Sequence, residues 1–317
     1  MLNYIIKRIL ALIPVLIVVA VVVFLLMYLT PGDPVSVLLG DEATEETIAQ
    51  VRHELGYDLP IYEQFFNWFK GLLVGDLGFS IFYDLPVSTV FFEHLGPTVA
   101  LAIYSQLIAI VIALTFGVFA AKKRGTWIDN TLSTVSVLGI SIPSFLMGLF
   151  LVLLFAVQLK WLPVAGYKPI EDGLITHLRY LTLPAIALGT MQAGLIMRMT
   201  RSSVLDVMKA PYIKTAKSKG LSENSITYKH ALKNAFLPIL TVIGESFGAL
   251  ITGAAVVETV FNIPGLGQLI VNSIERRDFI TIQGSILMMT VMYVFLNLIV
   301  DLLYGVIDPR VRISQGK

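Results

Sequence analysis

Residues 211–235 read PYIKTAKSKGLSENSITYKHALKNA, a polar segment set between two long apolar runs. The run Leu181–Met199 precedes the segment and the run Phe236–Glu258 follows it. Each run has about the 20 residues that a helix needs to cross the hydrocarbon core of a bilayer. We therefore interpret residues 211–235 as a connection between two membrane-spanning helices.

This connection carries its own helix signals. Pro211 can begin a helix, because the N–H that proline lacks would have no partner in a first turn. Gly220 can adopt the left-handed conformation that ends a helix. Ser222 can then cap a second helix that runs through His230 and Asn234 towards the next span. The sequence predicts a short, basic helix that protrudes between two membrane helices.

The composition of the whole chain supports a membrane protein. Of the 317 residues, 56% are hydrophobic and only 14% are charged, against roughly 25% charged in soluble domains. There is no cysteine, which excludes disulfides, thiolate metal sites and cysteine nucleophiles. The four histidines show no ligand spacing, so no metal site is predicted. Nothing in the sequence indicates a nucleic-acid partner.

Six apolar runs are long enough to span a bilayer, which predicts an all-α integral membrane protein. The runs are Ile9–Leu29, Pro97–Ala121, Thr131–Val157, Leu181–Met199, Phe236–Glu258 and Ile282–Val306. They divide the chain into an N-terminal transmembrane helix (1–30), an extracytoplasmic loop (31–96), a five-helix core (97–306) that includes the polar loop 201–235, and a tail (307–317).

The distribution of basic residues predicts the orientation. Most of the 23 lysines and arginines fall on the side that holds both termini and the loop 201–235, so both termini are expected in the cytoplasm. The acidic loop 31–96 is then external. It predicts one helix capped by Thr44 and an amphipathic aromatic helix after Pro60. Two interpretations stay open for this loop: a solvated cap resting on the bundle, or a docking surface for an external binding protein.

The polar segment 211–235 resembles the coupling loop of ABC-importer permeases of the dipeptide/oligopeptide branch, specifically that of the first of their two membrane subunits. In that branch it usually reads Tyr-Ile/Val-Arg-Thr-Ala-Arg-Ala-Lys-Gly-Leu, followed by His-Ala-Leu-Lys/Arg-Asn-Ala. Residues 212–221 and 230–235 are very similar. Lys214 and Lys217 replace arginines, which keeps the charge but loses the bidentate fork. Ala210 stands where an acidic residue is common.

The resemblance extends over nearly the whole chain, in the same order and spacing. The further similar segments are Pro31–Pro34, Gly75–Gly78, Ser141–Phe145, Leu162–Tyr167, Arg198–Ser203, Glu258–Phe261, Pro264–Gly267, Arg277–Phe279, Gln283–Gly284, Val300–Gly305 and Asp308–Arg310.

The resemblance implies a type I ABC-importer permease of the bacterial or archaeal cytoplasmic membrane. Its implied partners are a second permease subunit, two cytoplasmic ATPases that hold ATP and Mg, an external peptide-binding protein and the lipid bilayer. The chain lacks the glycine-rich phosphate loop, so no enzymatic role and no cofactor of its own are expected. Short peptides, glutathione and nickel chelates all remain open as cargo. The residues implied in ATPase coupling are Tyr212, Ile213, Lys214, Thr215, Ala216, Lys217, Gly220, His230, Leu232 and Asn234.

Three polar residues in or near the predicted spans are candidates for the translocation pathway or for helix packing. They are Glu245, Asn297 and Asp301, and such groups are costly in a membrane and often functional. An ion-coupled secondary transporter is the alternative function. It should show inverted repeats, and the two halves of this chain do not resemble each other. An intramembrane enzyme would need acid–base groups that the spans lack, so no catalytic residue is predicted.

Overall fold

The computed structural model of the chain describes residues 2–29, 35, 44–54, 56–80 and 82–307. The motifs Pro31–Pro34 and Asp308–Arg310 lie outside these residues. In chain order, the helices are α1 (Leu2–Leu29), α2 (Glu45–Glu54), α3 (Ile61–Leu73), α4 (Val87–Lys122), α5 (Trp127–Ser141), α6 (Ser144–Leu151), α7 (Leu174–Val207), α8 (Pro211–Ser218), α9 (Lys233–Gly253), α10 (Ala255–Val260), α11 (Leu266–Glu275) and α12 (Phe279–Ile307).

Shorter elements complete the described chain. A π-helical segment, Val152–Gln158, continues α6, and another, Ser225–Leu232, leads into α9. A 3-10 turn, Ile170–Asp172, precedes α7. Strands β1 (Phe79–Ser80) and β2 (Leu85–Pro86) form an antiparallel hairpin in which Phe79 lies opposite Pro86.

Four helical stretches among the described residues are long and apolar enough to cross a membrane. They are Val87–Lys122, Leu174–Val207, Ser225–Gly253 and Phe279–Val300. The first predicted span is also a continuous helix, α1, and its apolar part with described side chains is Leu12–Tyr28. The predicted spans therefore correspond to helices at five of the six positions.

The apolar run Thr131–Val157, predicted as one span, is not one continuous helix. The chain bends by 104° between α5 and the helix that begins at Ser144. Pro143 precedes that helix with an extended ψ of 137°. Proline has no N–H to continue the hydrogen bonding of α5 and disfavours a helical residue before it, and Ile142 is accordingly extended.

The prediction for the fifth span is wrong at its end. Helix α9 ends at Gly253, and Glu258 belongs to the separate helix α10.

The fourth predicted span, Leu181–Met199, is part of the much longer helix α7. Within its apolar window 67% of the residues are buried, the largest share of the four. A helix enclosed by protein needs less apolar surface towards lipid, which explains its weaker apolar signal.

The chain divides into two compact units. The first comprises Met1–Gly96 with Gln268–Phe295, and the second comprises Pro97–Gly267 with Leu296–Lys317.

In the first unit, both helices predicted for the loop 31–96 are present, and the second packs on α1. The Thr44 hydroxyl accepts a hydrogen bond from the Thr47 N–H at 3.3 Å, which confirms the predicted cap of α2. Helix α3 begins after Pro60 as predicted. Its Phe65 and Trp68 rings lie 5.2 and 5.5 Å from the Phe24 ring of α1. One face of α3 therefore rests on the first helix.

In the second unit, α7 is the central helix. It packs against α5, α6, α9 and α10. Small residues allow the close approach: a Cβ at Gly117 would lie 2.8 Å from the Cβ of Thr200, and one at Gly194 would lie 2.6 Å from the Ser136 carbonyl oxygen. Such contacts are the usual way in which membrane helices pack closely.

Candidate functional site

The short helix α8 forms where the sequence predicts it. Ala210 has the extended conformation expected before proline, and Pro211 occupies the first turn. At the other end Gly220 has a φ of +77°. Its N–H donates to the Lys217 carbonyl, and the Leu221 N–H donates to the Ala216 carbonyl. This is a glycine-dependent helix cap, because residues with a Cβ are strained at that φ.

One face of α8 anchors it to the bundle. Ile213 is fully buried in a core that also holds Val204 of α7, Ile226 of the π-helical segment and Ile239 of α9. Ala216 is half-buried and packs against the same core. This face therefore joins α8 to a core that also holds residues of α7 and α9.

The other face of α8 is exposed. Tyr212, Thr215, Lys217 and Lys219 all face outward, and Tyr212 keeps 43% of its surface exposed. Lys214 is exposed as well. Of the residues of α8 implied in ATPase coupling, Tyr212, Lys214, Thr215 and Lys217 have exposed side chains, whereas the side chain of Ile213 is inaccessible.

The second predicted helix, which follows α8, is present. Ser222 caps it through a 3.4 Å hydrogen bond from the Ser225 N–H, but residues 225–232 are π-helical. His230 and Leu232 are half-buried there, and Leu232 packs on the core. Asn234 is exposed and donates to the His230 carbonyl oxygen at 2.7 Å.

The basic loop after α4 is joined to this region. The Lys122 ammonium donates to the Asn224 side-chain oxygen at 2.6 Å. The same ammonium lies 5.7 Å from the centre of the Tyr228 ring, within the range of a cation–π contact. The loop and the α8 region thus form one surface with exposed basic side chains, which are Lys122, Lys123, Arg124, Lys214, Lys217, Lys219 and Lys229.

A buried ion pair joins α5 to α7 close to this surface. The Arg201 guanidinium donates two hydrogen bonds to the Asp129 carboxylate, at 2.6 and 2.7 Å. The Gly125 N–H donates to the same carboxylate at 3.0 Å. The Asp129 side chain is 3% exposed and that of Arg201 is 31% exposed. The Arg198–Ser203 segment was predictable from the sequence, whereas the part played by Asp129 was not.

A cavity of about 760 Å³ opens between α5, α7 and α9 in the second unit. Glu245, a pathway candidate from the sequence, lines it together with Arg198 and Arg201. The other two candidates lie elsewhere: Asn297 is half-buried in α12, and the Asp301 side chain is outside the described residues. The remaining lining residues are Ser133, Val137, Leu195, Met199, Ser202 and Val242.

A second buried carboxylate organises the turn after α10. Glu258 is fully buried and accepts hydrogen bonds from the Thr98 hydroxyl at 2.6 Å and the Gly267 N–H at 2.8 Å. The Thr98 hydroxyl oxygen accepts from the Leu266 N–H at 2.8 Å. A Cβ at Gly265 would lie 2.4 Å from the Glu258 carboxylate. The similar segments Glu258–Phe261 and Pro264–Gly267 are therefore parts of one structural unit.

Among the described residues, no group of three or more histidine or acidic side chains could hold a metal ion.

Comparisons with known proteins agree with this architecture. Residues 113–313 match the family described as binding-protein-dependent transport system inner membrane component, and residues 1–86 match the N-terminal family of such membrane components. A solved methionine ABC transporter in an inward-facing conformation has a TM-score of 0.58 at 17% identity, covering 69% of this chain and 96% of that chain. The likeness shows a shared all-α fold of the type I importer permeases.

Curated relatives match over almost their full length. A probable peptide ABC transporter permease of Sinorhizobium fredii is 41% identical over 98% of this chain and 99% of its own length. A glutathione transport system permease protein of Shigella flexneri is also 41% identical, with the same coverage. The chain belongs to the family of inner membrane components of binding-protein-dependent transport systems.

Proposed function

We propose that this chain forms half of the translocation path of an ATP-driven peptide importer and passes the motion of partner ATPases into the membrane. The observation that carries the coupling role is the two-sided character of α8. Its exposed face offers Tyr212 and Thr215 to a partner, and its buried face, through Ile213, is part of the core shared by α7 and α9. The peptide cargo rests on relatives named as peptide and glutathione permeases.

The proposed assembly has a second permease subunit, two ATPases in the cytoplasm and an external binding protein. ATP and Mg belong to the ATPases. The basic surface around α8 lies on the cytoplasmic side in this proposal, with both termini, because exposed lysines and arginines concentrate there. Nothing in the family membership favours the ion-coupled alternative.

The mechanism follows from the packing. Closure of the ATPases would displace α8, and the core that α8 shares with α7 and α9 would convert the displacement into a rigid-body change between two bundle arrangements. The joined Lys122 and Asn224 would carry the same motion to the end of α4. The chain itself breaks no bond.

Replacing Gly220 with valine tests the coupling. A β-branched residue at a φ of +77° is strained by about 1–3 kcal/mol, although no atom lies within 4 Å of the added Cβ. The strain should deform the end of α8. In reconstituted complexes we expect ATP hydrolysis to continue while peptide uptake is largely lost.

The matched control is Gly75→Val. Gly75 has a φ of +84° and equally open surroundings, but it lies in the loop before β1. This variant should keep peptide uptake. A Gly220→Asn variant should keep most of the wild-type uptake, because asparagine tolerates the left-handed region. Normal uptake by the Gly220→Val complex would refute the coupling role.

A further inference from the structure

The cavity between α5, α7 and α9 contains two opposite charges that the bundle does not use. Arg198 of α7 and Glu245 of α9 both line it, and both are exposed. We infer that this cavity is a transient binding site, within the permease itself, for cargo that carries a free amino group and a free carboxylate. The inference rests on the proposed function and adds that the permease itself selects cargo by its charged groups.

The charges of the cavity are distinct in role. Arg201 also reaches the cavity, but its guanidinium is bound to Asp129. Within the described part of the chain, neither Arg198 nor Glu245 forms an ion pair. The cavity therefore presents one available cation and one available anion.

The fold does not require these two charges. Ionisable groups on membrane helices are costly, and when they serve packing they are usually paired with each other. The structural ion pair of this region is already supplied by Asp129 and Arg201. Opposite charges that line one cavity without neutralising each other match a ligand with the inverse arrangement of charges.

The size and the walls of the cavity suit a short peptide. Its volume of about 760 Å³ falls within the roughly 300–1,000 Å³ of small-molecule sites. Val137, Leu195 and Val242 supply apolar surface, and the hydroxyls of Ser133 and Ser202 supply hydrogen-bonding groups. Such a site would recognise the two peptide termini and tolerate many side chains.

Ligand titration of the assembled complex tests this inference. The complex of both permeases and both ATPases is placed in lipid nanodiscs without the binding protein. Saturation-transfer NMR then measures the Kd of dialanine, of N-acetyl-dialanine (anion only) and of dialaninamide (cation only). We expect dialanine to bind at least about tenfold more tightly than either blocked form, the effect of one additional hydrogen bond to a charged group.

Two substitutions should give a crossed pattern. Glu245→Gln should raise the Kd of dialanine and of dialaninamide about tenfold and leave the Kd of N-acetyl-dialanine unchanged. Arg198→Gln should weaken dialanine and N-acetyl-dialanine and leave dialaninamide unchanged. General damage to the fold would weaken all three ligands together. The control variants Glu171→Gln and Arg179→Gln change exposed residues outside the cavity and should change no Kd.

Three results would overturn the inference: equal Kd values for the three ligands, variants without the crossed pattern, or loss of the second permease from the complex in either cavity variant. The last would make the cavity a subunit interface. The proposed function is tested separately by uptake with binding protein and ATP. If the wild-type complex imports alanine peptides but the two variants lack the crossed pattern, only the inference is refuted. If the wild-type complex imports no peptide, the proposed function is refuted.

Discussion

The Asp129 carboxylate satisfies three donors at once, two from Arg201 and one from the Gly125 backbone. A buried bidentate pair of this kind is expensive to break, because the remaining partner stays in a poorly solvated position. The pair also fixes the start of α5 against α7 just before the α8 region. We assign it a positioning role for the coupling surface.

Asp129→Asn should lower the free energy of unfolding by about 3 kcal/mol, the low end for a broken buried pair, because Arg201 is partly exposed. Thermal unfolding of the purified complex measures the change. The control is Asp206→Asn, which breaks an exposed pair with Lys209 whose side chains are 69% and 65% exposed. That variant should change stability by less than about 1 kcal/mol. Equal effects of the two substitutions would contradict the assignment.

Single residues were predictable only where the signal is local. Pro211 and Gly220 define α8 through their own backbone properties, and both predictions are confirmed. Asp129 was missed because its partner lies 72 residues away in the sequence and only the fold brings them together. Ile213 belonged to the similar segment, yet its spacing with Ala216 places both on one helical face, which could have separated the anchor from the exposed contacts.

Among the helices, the turn from α10 into α11 depends on close backbone approach. A Cβ at Gly267 would lie 2.3 Å from the Ala255 Cα, an overlap that neither backbone can relieve without moving. The same displacement would disturb the hydrogen bond from the Gly267 N–H to the buried Glu258 carboxylate.

Gly267→Ala should destabilise the protein by about 1–3 kcal/mol or more, as overpacking does. The matched control is Gly253→Ala at the end of α9, where an added Cβ meets no atom within 4 Å and alanine favours the helix by up to about 1 kcal/mol. Thermal unfolding of both variants checks the difference. A Gly267→Ala protein as stable as the Gly253→Ala protein would show that this turn is not tightly packed.

Helix existence was predictable from apolar runs, and helix direction was not. Prolines Pro14, Pro97, Pro184 and Pro238 all lie inside continuous helices, whereas Pro143 lies at a 104° bend. A membrane helix can continue through a proline where other groups satisfy the carbonyl that the proline frees, so a proline in an apolar run does not by itself indicate a bend. A count of apolar residues does not detect the bend at Pro143, so the run 131–157 was predicted as one span.

At the scale of the whole molecule, the partly exposed helix α8 packs on a core that also contains residues of α7 and α9. The family and the type I fold were predictable because many short segments keep their order along the chain. The cavity was not, because its lining comes from three helices distant in sequence and only Glu245 of that lining was predicted as a pathway candidate. The central claim is that α8 is the part of the chain that touches the ATPase.

Site-specific photo-crosslinking tests that claim most directly. The chain contains no cysteine, so Thr215→Cys provides a unique attachment point for a photoactivatable maleimide on the exposed face of α8. Trp161→Cys is the control, since Trp161 is 62% exposed but lies in the loop between α6 and α7. After illumination of the assembled complex, the label at residue 215 should form an adduct with an ATPase subunit and the label at residue 161 should not. An adduct at residue 161 alone, or labelling of residue 215 only from outside sealed cells, would contradict the account.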